Sequence, residues 1–237
     1  MEPTAQTKPV ITETVPKTWP GAFGAYQHSK LAVKTNLGAY IWLLVISIVA
    51  SFIPNLFAGK NGEMTPMYIA VQLLAAALSL ILSAATVYLM IKNIKQQKVD
   101  VNEALSAGIA KFLPFLLLCI VLVVLLSISL LLLVVPFFLV LPRVYLAPYY
   151  LFDRDLSPME AIKASWAETA GHVGKVWGII GVNILIALLV VTIIGIPFAI
   201  YFGILYSAAD AVLYFWRKDH AAKAEPKATG PILKAKA

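Results

Sequence analysis

The stretch FLPFLLLCIVLVVLLSISLLLLVVPFFLVLPRVYLAPYYLF, Phe112 to Phe152, decides the fold class of this chain. Its only charged residue is Arg143. A helix that crosses the hydrocarbon core of a bilayer needs roughly 20 apolar residues, and this run is about twice as long. The run therefore predicts two consecutive membrane-spanning helices.

The rest of the chain is apolar in the same way. Of its 237 residues, 60% are hydrophobic and 13% are charged, whereas about a quarter of the residues in a soluble domain are charged. Further apolar runs occupy about 37–57, 66–91, 176–195 and 197–216. The sequence predicts an all-α integral membrane protein with six transmembrane helices in three hairpins.

Polar segments flank this membrane domain, which we expect to cover residues 22–218. Residues 1–21 are rich in Pro and Thr and contain no apolar run of the kind found in signal peptides, so we expect a disordered tail and a first span that is retained. Residues 219–237 are rich in Ala, Lys and Pro, which predicts a disordered, basic C-terminal tail.

The basic residues predict the orientation of the chain. All of the 19 Lys and Arg residues except Lys60 and Arg143 fall before span one, after spans two and four, or after span six. Because basic residues near span ends stay on the cytoplasmic side, we expect both termini to be cytoplasmic and the chain to lie in the inner (plasma) membrane. The opposite face has only short loops, which argues against a receptor or an adhesin.

The segments between the hairpins repeat one another at an offset of 57 residues. Val87–Gly108 aligns with Val144–Ser165 without a gap, so that Asp100 matches Ser157 and Glu103 matches Glu160. Asp or Ser followed three residues later by Glu is a capping-box pattern at a helix start. The pattern predicts amphipathic helices at the cytoplasmic interface over about 100–111 and 157–170, and similar spacing suggests a third over about 22–36.

The order of motifs in the second copy resembles that of a bacterial family. The chain is similar to the multi-span membrane proteins grouped with the membrane domain of glycerophosphoryl diester phosphodiesterases. The matching positions are Arg143, Pro148, Ser157-Pro158, Glu160-Ala161, Ser165-Trp166, Gly171-His172 and Lys175. The resemblance implies an architecture rather than an activity, since most such proteins lack an assigned biochemical function.

The residues do not predict an enzyme. His28, His172 and His220 lie in different segments, no His/Asp/Glu cluster has metal-ligand spacing, and Cys119 is the single cysteine. Motifs of serine hydrolases, zinc proteases and phosphate-binding loops are absent from the sequence. We therefore expect no catalytic residues, no metal and no cofactor.

Arg143 is the residue whose position most needs an explanation. A charge in the membrane costs at least a few kcal/mol unless it finds a polar partner. Asp210 is the only acidic residue inside a predicted span. The two residues are interpreted either as a structural ion pair or as part of an anion or lipid-phosphate site, with extension of Arg143 toward the interface as a third alternative.

A second group of polar residues surrounds the predicted start of span five. Lys163, His172 and Lys175, flanked by Trp166 and Trp177, have the chemistry to hold a lipid phosphate. The alternative is that these Lys and Trp residues mark the membrane interface, as they do in many membrane proteins.

Two classes of function remain open from the sequence. The first is a non-enzymatic scaffold that binds anionic lipid headgroups or a protein partner at the cytoplasmic face, with a homo-oligomer as one form of partner. The second is a transporter or channel for a small molecule, an anion or a lipid, with Arg143 and Asp210 on its path. The net charge of +7 points to membrane surfaces rather than to nucleic acid, since no nucleic-acid-binding motif is present.

Overall fold

The structure, a computed structural model, describes residues 14–57, 65–132, 134–189 and 195–224, and within them the regular structure is helical. The α-helices are α1 Ala25–Lys34, α2 Leu37–Phe52, α3 Pro66–Ile94, α4 Val101–Ala110, α5 Phe112–Leu132, α6 Val134–Val144, α7 Ala147–Asp153, α8 Pro158–Glu168, α9 Val173–Leu189, α10 Gly195–Tyr206 and α11 Ala209–Ala224. A 3₁₀ helix, Ile53–Phe57, follows α2.

Five stretches of the described chain are helical, long and apolar enough to cross a membrane. They are Leu37–Phe57, Pro66–Ile94, Phe112–Leu132, Val135–Asp153 and Gly195–Ala221. Helices α8 and α9 meet the same criteria only together, and they are bent by 108°. The described chain is thus all-helical, with five stretches that could cross a membrane by length and composition, or six if the bent pair is counted. The predicted six spans in three hairpins stay a prediction.

Both predicted capping residues precede helices, but only one capping box forms. The Ser157 side chain accepts from the Glu160 backbone N–H, and the Glu160 carboxylate accepts from the Ser157 backbone N–H at 3.0 Å. Asp100 is the N-cap of α4 without a side-chain hydrogen bond to the helix. The prediction of a box there is wrong, because Glu103 instead accepts a hydrogen bond from the Tyr88 hydroxyl at 2.9 Å. The 57-residue repeat itself stays a prediction.

The predicted boundaries of the two tails are corrected by packing. Thr14 is 1% exposed and donates to the backbone carbonyl of Ile94 at 2.9 Å, and Trp19 packs against Trp216. Residues 14–21 are thus held against the helices because their apolar side chains find partners there. At the other end, α11 continues to Ala224 instead of ending at 218. Residues 1–13 and 225–237 of the predicted tails lie outside the described residues.

Tight packing concentrates at the end of the bundle where the shorter helices lie. Tyr150, Leu151, Leu213 and Tyr214 are fully buried there, whereas α5 leaves Leu131 89% exposed. A Cβ atom on Gly108 of α4 would lie 2.6 Å from the Ile81 carbonyl oxygen. At this position α4 lies directly against the backbone of α3, an approach that only glycine permits.

Two spans are broken, and a serine from another helix satisfies each break. Ser29 of α1 donates to the Leu205 carbonyl at 2.6 Å and accepts from the Ala208 N–H at 3.1 Å, between α10 and α11. Ser165 of α8 donates to the Arg143 carbonyl at 2.7 Å, at the end of α6. Backbone groups left without a helical partner inside a membrane need such hydrogen bonds. The serines of α1 and α8 therefore fix these two helices to the spans that they contact.

Candidate functional site

The predicted ion pair between Arg143 and Asp210 does not form. The Arg143 guanidinium donates to the Trp166 carbonyl at 3.3 Å, and its central carbon lies 5.5 Å from the centroid of the Trp166 ring. Arg143 is on the last turn of α6 and faces α8, which supplies both contacts. The prediction is wrong because a neighbouring aromatic ring and a carbonyl take the place of the carboxylate.

Asp210 has a different polar partner. The Tyr145 hydroxyl lies 3.2 Å from both carboxylate oxygens of Asp210, and the Asn183 side-chain amide lies 3.5 Å from that hydroxyl. Tyr145 occupies the break between α6 and α7, and Asp210 lies in the first turn of α11. All three residues are half-buried, and their side chains form a polar group between two broken spans. Asp210 was predicted from the sequence as a polar residue inside a span, whereas Tyr145 was not.

The second predicted site is partly assembled, with a new central member. His172 and Lys175 lie beside Arg217, which was not among the predicted site residues. The ring nitrogen Nε2 of His172 is 3.1 Å from Nη1 of Arg217, and Lys175 Nζ is 3.9 Å from the centroid of the Trp216 ring. The His172 ring also packs against Trp216, with centroids 5.6 Å apart. We call His172, Lys175 and Arg217 the cationic cluster.

Arg217 is the most buried member of the cationic cluster, with 8% of its surface exposed. It donates through Nη2 to the backbone carbonyl of Glu168, while its Nε–H is buried and has no hydrogen-bond partner. The Glu168 carboxylate is already engaged, since it accepts from Arg154 at 2.6 Å and from the Tyr150 hydroxyl at 2.7 Å. Among the described residues, no carboxylate lies within ion-pair distance of Arg217 or Lys175.

The surroundings of the cationic cluster shift the pKa of His172. Burial lowers the pKa of His172, and the charges of Arg217 and Lys175 and the nearby His220 lower it further. The backbone carbonyl of Ala170, which lies 3.2 Å from Nδ1, acts in the opposite direction without cancelling the effect. Burial and the neighbouring positive charges therefore disfavour the protonated form of His172.

The remaining predicted members of this site lie elsewhere. Trp166 is occupied by Arg143, and Trp177 donates through its indole nitrogen to the Phe138 carbonyl at 3.2 Å. Lys163 is exposed on α8 and has no ion-pair partner among the described residues. The proposed five-residue phosphate site is thus reduced to His172 and Lys175, and the only sequence signal for Arg217 was its position at the end of an apolar run.

Beside the cationic cluster, a buried ion cluster joins the ends of three spans. The Asp153 carboxylate lies 2.7 Å from Lys95 Nζ and 2.5 Å from Lys218 Nζ, and its side chain is 1% exposed. It also accepts from the Tyr214 hydroxyl at 2.8 Å. The ends of α3 and α7 and the middle of α11 therefore meet at one end of the bundle.

The fold and these clusters define a multi-pass, all-helical membrane protein with a cationic cluster at one end of its bundle. Comparisons with protein-family models, with curated proteins and with solved structures find no match.

Proposed function

We propose that this chain is a non-catalytic membrane protein that binds anionic lipid headgroups through the cationic cluster of His172, Lys175 and Arg217. The observation that carries the proposal is the buried Arg217 guanidinium. It has an unused Nε–H and no carboxylate partner within the described residues. An arginine in that state is a donor for a phosphate, which its planar fork matches in geometry.

The surroundings of Arg217 suit a headgroup more than a soluble anion. Trp19 and Trp216 pack against each other at the cluster, with ring centroids 5.5 Å apart. Tryptophan is enriched at the level of the headgroups because one edge is polar and the body is apolar. A lipid phosphate held at that depth would keep its acyl chains beside the apolar face of the bundle.

The proposed orientation places this cluster on the cytoplasmic side of a bacterial inner membrane. Support comes from the distribution of Lys and Arg and from the contacts of Asp153 with Lys95 and Lys218, which hold three predicted cytoplasmic segments at one end. In this proposal α1, α4 and α8 lie in the interface and α9 completes a sixth span. The resemblance to the membrane domain of the glycerophosphoryl diester phosphodiesterases is part of the same proposal.

A lipid-dependent stability measurement tests the proposed function. The protein, purified in a neutral detergent, is unfolded by heat with increasing phosphatidylglycerol or phosphatidylcholine. A ligand that binds only the folded state stabilises it, by about 2.7 kcal/mol at a hundred times its dissociation constant. We expect phosphatidylglycerol to stabilise the wild-type protein more than phosphatidylcholine does.

Two variants localise the effect. Lys175→Gln removes one charge of the cluster and Arg217→Lys keeps the charge but removes the fork, so both should reduce the response to phosphatidylglycerol. Lys163→Gln removes an exposed lysine outside the cluster and should respond like the wild type. An unchanged response of Lys175→Gln, or an equal loss in Lys163→Gln, would contradict a specific site.

The polar contacts among Tyr145, Asn183 and Asp210 favour transport as a second candidate function. Binding sites of transporters are commonly formed by broken helices with polar groups near the middle of the membrane, and both broken spans contribute here. A cysteine at Asn183 in a Cys119→Ser background tests this candidate. Labelling by a polar reagent from both sides of the membrane would support a path, and labelling from neither side would oppose it.

A further inference from the structure

A cavity of about 350 Å³ opens between α1, α9 and α10, away from the cationic cluster. It is lined by Phe23 in the turn before α1, Tyr26 of α1, Leu185 and Ile186 of α9, and Phe202 and Tyr206 of α10. The size falls within the range of small-molecule sites in proteins, which begins at roughly 300 Å³.

The lining selects an apolar occupant. The Tyr206 hydroxyl is already used, since it donates to the Ala22 carbonyl at 2.8 Å. The Tyr26 and Phe202 rings pack against each other, with centroids 6.3 Å apart. Helix α10 belongs to a stretch with the length and composition of a membrane span, so the apolar molecule available at this cavity in the greatest amount is a lipid acyl chain.

One charged side chain lies next to the cavity. Lys30 Nζ is 5.9 Å from the centroid of the Tyr26 ring, one helical turn further along α1. No carboxylate of the described residues forms an ion pair with Lys30. A cation above an apolar cavity is complementary to a phospholipid with a net negative charge.

We propose that this cavity holds one acyl chain of an anionic phospholipid whose phosphate pairs with Lys30. The site is separate from the cationic cluster, because Ala22 packs against α9 at Gly178, which lies between Lys175 and the cavity along that helix. A Cβ atom added to Gly178 would lie 3.0 Å from the Ala22 Cβ. It does not rest on the proposed function and fails or succeeds independently of it.

Photochemical labelling tests this site. The full chain is placed in bicelles that contain phosphatidylglycerol with a diazirine on its acyl chain, and the labelled residues are mapped by mass spectrometry after illumination. We expect adducts on Leu185 and Ile186 at a higher level than on Leu131, which is 89% exposed on α5 and serves as the measure of ordinary lipid contact.

Matched variants separate a filled cavity from general lipid contact. Leu185→Trp fills the cavity and should abolish the excess labelling of Ile186, whereas Leu188→Trp, which is similarly exposed on α9 outside the cavity, should preserve it. Lys30→Gln should weaken labelling by phosphatidylglycerol about fivefold, the equivalent of one lysine near an anionic surface, and Lys34→Gln on the same helix should not.

Labelling of the cavity no stronger than that of Leu131, or an identical pattern in Leu185→Trp and Leu188→Trp, would overturn the acyl-chain site. Equal labelling by a diazirine phosphatidylcholine, unchanged in Lys30→Gln, would overturn the phosphate contact. Because Lys175→Gln leaves this cavity intact, its labelling should equal that of the wild type even if the cationic cluster binds no lipid.

Discussion

The ammonium group of Lys218 lies 2.5 Å from the carboxylate of Asp153, which is 1% exposed and comes from the end of the fourth predicted span. Lys95, at the end of α3, approaches the other carboxylate oxygen at 2.7 Å. One buried acid is thus the shared counter-ion of two lysines from different spans. Arg217, next to Lys218 in the chain, and Lys175 have no such acid within the described residues. We therefore interpret the Asp153 cluster as structural and the cationic cluster as a candidate binding site.

Substitution of Asp153 by Asn should destabilise the protein, because it leaves two lysines without their shared counter-ion. Breaking a buried pair costs roughly 3–5 kcal/mol, and the partial exposure of both lysines reduces the expected loss of unfolding free energy to about 2 kcal/mol. Thermal unfolding in detergent measures it. The control is Asp155→Asn, whose side chain is 85% exposed in its pair with Lys111. Equal behaviour of the two variants would contradict a structural role for Asp153.

The contact between Tyr145 and Asp210 predicts energetic coupling between these residues. In a double-mutant cycle of Tyr145→Phe and Asp210→Asn, residues in direct contact should show an interaction free energy of about 0.5–3 kcal/mol. The matched cycle of Arg143→Leu and Asp210→Asn should be additive, since Arg143 contacts Trp166 instead. Coupling found only in the Arg143 cycle would contradict the contact between Tyr145 and Asp210 and would favour an ion pair between Arg143 and Asp210.

Gly108→Ala should destabilise the packing of α4 on α3. The added Cβ would lie 2.6 Å from the Ile81 carbonyl oxygen and 3.1 Å from the Ala85 nitrogen, and overpacking of this kind costs about 1–3 kcal/mol. Gly181→Ala is the control, because a Cβ there meets no atom within 4 Å. That change should stabilise α9 by about 0.5–1 kcal/mol in a helix interior. A Gly108→Ala protein as stable as the wild type would show that the two helices are further apart.

The lowered pKa of His172 predicts a pH dependence of stability. The neutral form is favoured by the fold, so its contribution is present above the unfolded-state pKa of about 6.5 and is lost as the pH falls through the lower folded-state pKa. When the pH is lowered from 7.5 to 5, the midpoint temperature of thermal unfolding should therefore decrease more for the wild-type protein than for His172→Asn. Equal slopes for the two proteins would contradict the electrostatics of the cluster.

The sequence predicted what depends on local composition and periodicity. The Phe112–Phe152 run covers two of the helical stretches that are long and apolar enough to cross a membrane, and Asp100 and Ser157 both precede helices. It did not predict which side chains meet, because Arg143 and Asp210 were paired by charge alone. Tyr145 offered no signal in an aromatic-rich segment, and Glu103 lost its capping role to Tyr88, a contact between different helices that spacing along one helix does not encode.

The most direct test of headgroup binding at the cationic cluster is the lipid retained on the protein in native mass spectrometry. Wild-type, Lys175→Gln and Lys163→Gln proteins are compared after equilibration with equal amounts of phosphatidylglycerol and phosphatidylcholine. We expect retained phosphatidylglycerol to exceed phosphatidylcholine on the wild type and on Lys163→Gln, and to fall about fivefold on Lys175→Gln. Equal retention of phosphatidylglycerol by all three proteins would contradict binding at the cluster.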